Sequence, residues 1–139
     1  MIEDKILKIN KIDHIGIAVK SLDDVKTFYS NVLKLDAFDV EEVESQGVKI
    51  LAFKVGDSKI EFLEAIKDDS PIKKFVEKKG SGIHHIAYEV DNIEEALDEL
   101  ESEGVVLIDK KPRRGLHNKK IAFLHPKSSS GILTELVEK

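Results

Sequence analysis

The sequence says one stretch twice: IDHIGIAV (Ile12 to Val19) returns 71 residues later as IHHIAYEV (Ile83 to Val90). Ile12, His14, Ile15 and Val19 are answered by Ile83, His85, Ile86 and Val90, and Gly16 is answered by Ala87. A chain of 139 residues has room for one domain with a real core, so a duplication of this size must be two halves of one fold. β-Branched residues at alternate positions mark both copies as strands, whose side chains at i and i+2 share a face. His14, Gly16 and Ala18 therefore share one face, and Ile15, Ile17 and Val19 the other. In the second copy His85, Ala87 and Glu89 oppose Ile86, Tyr88 and Val90. Each copy offers a large apolar face for a helix to cover and a small-residue face with room beside a histidine.

The segment after each strand repeats as well. Ser21 is placed to cap a helix with apolar Leu22, Val25, Phe28, Tyr29 and Val32 at helical spacing; 71 residues on, Asn92 precedes Ile93, Ala96 and Leu100. Strands are then expected at Phe38 to Val43, Lys49 to Val55 and Lys59 to Ala65 in the first half. In the second they are expected at Val105 to Asp109, Lys120 to His125 and Leu133 to Val137. Each half reads as βαβββ. Module one spans about residues 10–66 and module two about 82–139, within one domain over 1–139. Between them Ser70-Pro71 to Gly80 carries the signals of a short connecting helix.

The closing strands match in turn, Ile60 to Glu64 against Thr134 to Glu138, now at an offset of 74. Glu61 and Glu135 stand inside apolar segments, whereas Glu64 and Glu138 can end their strands in water. If the halves pack with first and last strands adjacent, His14, Glu61, His85 and Glu135 converge as a His2Glu2 set. Imidazoles and carboxylates suit divalent Co, Mn, Ni, Zn or Fe, and two carboxylates balance the charge. The absence of cysteine removes thiolate sites, disulfides and thiol nucleophiles, which leaves only such ligands. The alternative for each histidine is an ordinary hydrogen-bonded strand residue; His84, on the opposite face from His85, is read that way.

A net charge of −5 gives no general reason to bind nucleic acid or a membrane surface. The N-terminal MIEDKILKIN lacks a signal-type apolar core, and no later run approaches a membrane span, so a cytoplasmic address is expected. Against the acidic balance, Pro112 to Lys120 (PRRGLHNKK) concentrates Arg113, Arg114, Lys119 and Lys120 around a glycine turn. That loop could hold an anion or simply be solvated.

IDHIGIAV, DSPIKKFVEKKGSGIHHIAYEV (Asp69 to Val90), KPRRG (Lys111 to Gly115) and IAFLHPKSSSGILTEL (Ile121 to Leu136) together resemble the vicinal oxygen chelate superfamily and, within it, the methylmalonyl-CoA epimerases. The resemblance implies an α+β fold of two βαβββ modules forming a cupped mixed sheet with helices on its outer face. It also implies a divalent metal, cobalt favoured, on His14, Glu61, His85 and Glu135. The implied reaction interconverts (R)- and (S)-methylmalonyl-CoA by removing and returning the C2 proton through a metal-chelated enolate, with Glu135 as one acid/base. The position of Glu61 is glutamine in many relatives. Some carry a glutamate where this chain has Ile50, which leaves the second acid/base to Glu44, His117 or a water. The acyl-CoA would be the small-molecule partner, and a homodimer is expected. The rival readings are a glyoxalase I-like lyase acting on a glutathione hemithioacetal and a metal-free binding protein of the same fold.

Overall fold

The computed structural model describes residues 7–139; residues 1–6, which carry part of the expected signal-free N-terminus, lie outside the described residues. The chain packs into two compact units, His14–His85 and residues 7–13 with Ile86–Lys139. Eight strands hydrogen-bond in the order β2-β3-β4-β1-β5-β8-β7-β6. β1 (Lys11–Ala18) runs parallel to β4 (Ser58–Ala65), and β5 (Gly82–Val90) parallel to β8 (Thr134–Glu138). β2 (Ala37–Val43), β3 (Val48–Val55) and β4 pair antiparallel, as do β6 (Arg113–Arg114), β7 (Lys120–Leu124) and β8. The α+β class and the βαβββ order of the first half are as the sequence predicts. Among the described residues no helix is long and apolar enough to cross a membrane.

In the unit His14–His85, α1 (Leu22–Val25) begins at Ser21, whose side chain accepts from Asp23 N. The helix then changes winding and continues as a π-helix over Lys26–Val32, with Leu33 N bonded to Phe28 O five residues back. Wider turns rotate the later side chains off the expected stripe. Leu22 and Val25 stay buried and Tyr29 packs with Phe62 at 4.6 Å, but Phe28 is 47% and Val32 62% exposed. Leu22, Val25, Leu51, Phe53 and Phe62 form the core on this face, joined by Ile17, Val19, Tyr29, Leu35 and Ile60. α2 (Pro71–Lys79) starts at the Ser70 cap and stops at Gly80, as its signals require.

In the other unit, α3 (Ile93–Ser102) is capped by Asn92 and lays Ile93, Ala96 and Leu97 against Val90, Ala122, Leu124 and Leu136. One expected strand does not form: Val105 to Asp109 makes a single bridge, Leu107 to Leu124. Its neighbours satisfy backbone groups with side chains instead. Val106 N donates to Ser128 Oγ at 2.9 Å, and the Asp109 carboxylate accepts from Phe123 N at 2.8 Å. An edge strand of two residues, β6, takes up pairing with β7 beyond it.

Glu64 and Glu138 are not merely water-facing ends. Glu64 accepts from Leu22 N at 2.8 Å and Glu138 from Ile93 N at 3.1 Å, so each half ties its last strand to the first amide of its own helix. The carboxylates also sit at the positive end of the helix.

Candidate active site

Strand alternation separates the apolar core face from the face that carries His14. Gly16 pairs with Glu61 in the β1–β4 register, and Ala87 pairs with Glu135 in the β5–β8 register. The repeat is therefore preserved at the level of backbone pairing. In both halves the small residue two positions after the histidine lies beside the buried glutamate. His14 and His85 are each 6% exposed, and Glu61 and Glu135 each 4%.

Three of the four expected ligands lie within the unit His14–His85, where His14 stands next to His85 on its Nε2 side and nearest Glu61 on its Nδ1 side. His14 Nε2 faces His85 Nε2 at 3.1 Å, with the rings perpendicular and their centroids 5.2 Å apart. Glu61 Oε2 lies 3.5 Å from His14 Nδ1, longer than an N–H···O hydrogen bond. Gly16 makes the histidine pair possible. A Cβ at this position would fall on the His85 imidazole, with both ring nitrogens at 2.6 Å. The second copy carries Ala87 at the same place and buries it fully. Glu135 belongs to the other unit, on β8 between Ala87 and Phe123.

His84, read from the sequence as an ordinary strand residue on the face opposite His85, places its Nδ1 2.9 Å from His85 Nδ1. Nothing in the strand pattern signals this, because alternation directs adjacent side chains to opposite faces. A second feature is legible only once the register is known. Glu41 stands directly across from Ile50 and Asp39 across from Ala52, on the face that carries Glu61 through the pairs Ala52 to Glu61 and Ile50 to Leu63. Asp39 and Glu41 are half-buried, with oxygens within 4.8 Å of one another. Ile50 is buried. Glu44 is exposed in the turn after β2, and His117 is exposed with φ 58° in the β6–β7 connection.

The basic loop is largely engaged with its own surroundings. Arg113 pairs with Asp109 at 3.3 Å and lies 5.2 Å over the Phe123 ring; Arg114 donates to Asn118 O and Lys120 to Glu94, each at 3.0 Å. The Lys120 hydrogen bond is the first cause of a Glu94 carboxyl held below its ordinary value.

Residues 13–123 match the Glyoxalase/Bleomycin resistance protein/Dioxygenase superfamily. An uncharacterized protein of Bacillus subtilis (strain 168), YqjC, is 46% identical over 129 residues, 93% of this chain and 92% of that protein. The mitochondrial methylmalonyl-CoA epimerase of Dictyostelium discoideum is 41% identical over 132 residues, 94% of this chain and 80% of its own length. A substituted methylmalonyl-CoA epimerase of Streptomyces coelicolor, in complex with 2-nitronate-propionyl-CoA, superimposes with a TM-score of 0.91 at 36% identity, covering 95% of this chain and 96% of that one. Likeness of this extent in sequence and backbone, on top of a repeat whose histidines and glutamates keep their register, places the chain in the methylmalonyl-CoA epimerase family of that superfamily.

Proposed function

We propose that the chain is a methylmalonyl-CoA epimerase, a single vicinal-oxygen-chelate-type domain that takes the C2 proton from one epimer and returns a proton to the opposite face. The observation that carries this reading is the buried pair His14 and His85 with their Nε2 atoms 3.1 Å apart. Two nitrogens held side by side on one divalent ion at about 2.1 Å each would be about 3 Å apart, so the donor pair fits such an ion. His14, Glu61, His85 and Glu135 would hold it; cobalt is the ion we favour, and manganese, nickel, zinc or iron also suits two imidazoles and two carboxylates. When bound, the ion supplies Lewis-acid stabilisation of the negative charge that develops on the substrate oxygens as C2 loses its proton.

The protein's own groups do the rest. C2 lies between a thioester carbonyl and a carboxylate, so its proton is acidic enough for a carboxylate base in a water-poor site. Glu135 takes and returns the proton on one side. Inversion needs a second carrier on the other. Glu41 is the residue we assign, supported by its place opposite Ile50 on the face that carries Glu61. A cytoplasmic homodimer completes the reading, in keeping with the intracellular occurrence of CoA thioesters.

The test is exchange of the C2 proton of methylmalonyl-CoA into deuterated water, followed by NMR, with cobalt-reconstituted and chelator-treated protein side by side. Metal-dependent exchange with interconversion of the epimers is expected. A metal-loaded protein with no exchange would refute the substrate and direct attention to another acyl thioester or a glutathione adduct; absence of metal uptake would favour a binding protein.

A further inference from the structure

The proposed reaction gives His84 no task, yet His84 is held from two sides. Its ring packs edge-on against Phe75 of α2, with centroids 5.1 Å apart at 79°, and the Lys79 ammonium lies 5.5 Å from the same phenyl ring. On the other side its Nδ1 meets His85 Nδ1 at 2.9 Å, the two imidazoles being perpendicular. α2 thus braces the ring that touches His85.

Two facing imidazole nitrogens make a hydrogen bond only when one carries a proton and the other does not. The second nitrogen of His85 decides which. His85 Nε2 faces His14 Nε2, and a ring nitrogen that is to bind a metal must be free of hydrogen. The His85 proton then resides on Nδ1 and is donated to His84 Nδ1, which leaves His84 protonated on its own Nε2. Hydrogen bonds to the far nitrogen of a ligating histidine set its tautomer, direction and basicity, and their loss typically lowers metal affinity about 10- to 100-fold. The residue at the corresponding place of the first copy is Asp13, also buried. The second copy carries a neutral acceptor where the first carries a carboxylate.

We propose that His84 is a positioning residue: braced by Phe75, it accepts the Nδ1 proton of His85 and so presents a bare Nε2 toward His14. This rests on the metal-dependent reading of the site. It also gives α2 a role beyond linking the two halves.

The experiment compares wild type with His84→Phe, which keeps a ring against Phe75 but removes the acceptor, and His84→Asn, which restores an acceptor. Cobalt titration followed by visible absorption reads affinity, and 15N NMR of the metal-free proteins in alkaline buffer reads the His85 tautomer. Expected are an Nδ1-protonated His85 in wild type, loss of that preference with about 10- to 100-fold weaker cobalt binding in His84→Phe, and recovery of most of the affinity in His84→Asn. Wild-type affinity in a folded His84→Phe, or an Nε2-protonated His85 in wild type, would overturn the proposal. Failure of the wild-type protein to take up cobalt while the spectra show an Nδ1-protonated His85 would instead overturn the metal reading, and the role of His84 with it.

Discussion

Replacing Gly16 with alanine should damage the site through a single contact. The added Cβ would stand 2.6 Å from both nitrogens of the His85 ring. Carbon and nitrogen atoms settle at about 3.5 Å, so the ring must withdraw by about 1 Å. It has little freedom to do so, being 6% exposed and in contact with His14 Nε2 at 3.1 Å and His84 Nδ1 at 2.9 Å. Overpacking of this kind costs about 1–3 kcal/mol, which for a domain of this size lowers Tm by roughly 3–10 °C. A ligand displaced by about 1 Å should cost on the order of 100-fold in metal-dependent turnover. Thermal unfolding of the metal-free protein measures the first effect and C2 exchange the second. The decisive control is the double-mutant cycle with His85→Ala, which empties the space the new methyl needs. There Gly16→Ala should cost almost nothing. An equal loss of stability with and without the imidazole would refute the reasoning, because the cost would then come from β1 itself.

Glu135→Gln should reduce C2 exchange by at least about 100-fold, whereas Glu61→Gln, the residue many relatives carry, should leave most of it; deuterium incorporation separates the two. Glu64→Ala and Glu138→Ala should each cost about 1–2 kcal/mol in urea unfolding, since each strips the first amide of a helix of its acceptor. The Glu94 carboxyl should titrate below the ordinary glutamate range, chiefly through its hydrogen bond with Lys120, and rise toward it in Lys120→Ala when followed by NMR. Its folded value is depressed, so the associated stabilisation is present above the unfolded pKa and is lost as pH falls through the folded one.

Local chemistry is what the amino-acid sequence determined by itself. Alternating β-branched residues made β1 and β5 recognisable, Ser21, Ser70 and Asn92 announced their helices, and Glu61 and Glu135 stood out as charges inside apolar strands. Duplication then turned four ordinary residues into a candidate site, since two matched anomalies are harder to ascribe to packing than one. Tertiary structure decided what depends on contacts between segments distant in the chain. Val105 to Asp109 has strand-forming residues, but Ser128 and Asp109 side chains satisfy amides that a ladder would have used. Helical periodicity could not foresee the π-turns that expose Phe28 and Val32. Gly16 and Ala87 are interchangeable as sequence; only the His85 ring lying on the first of them makes glycine necessary there. Likewise alternation sends His84 to the face opposite His85, and only a ring with two rotatable bonds, braced by Phe75 of a separate helix, brings its nitrogen back to His85.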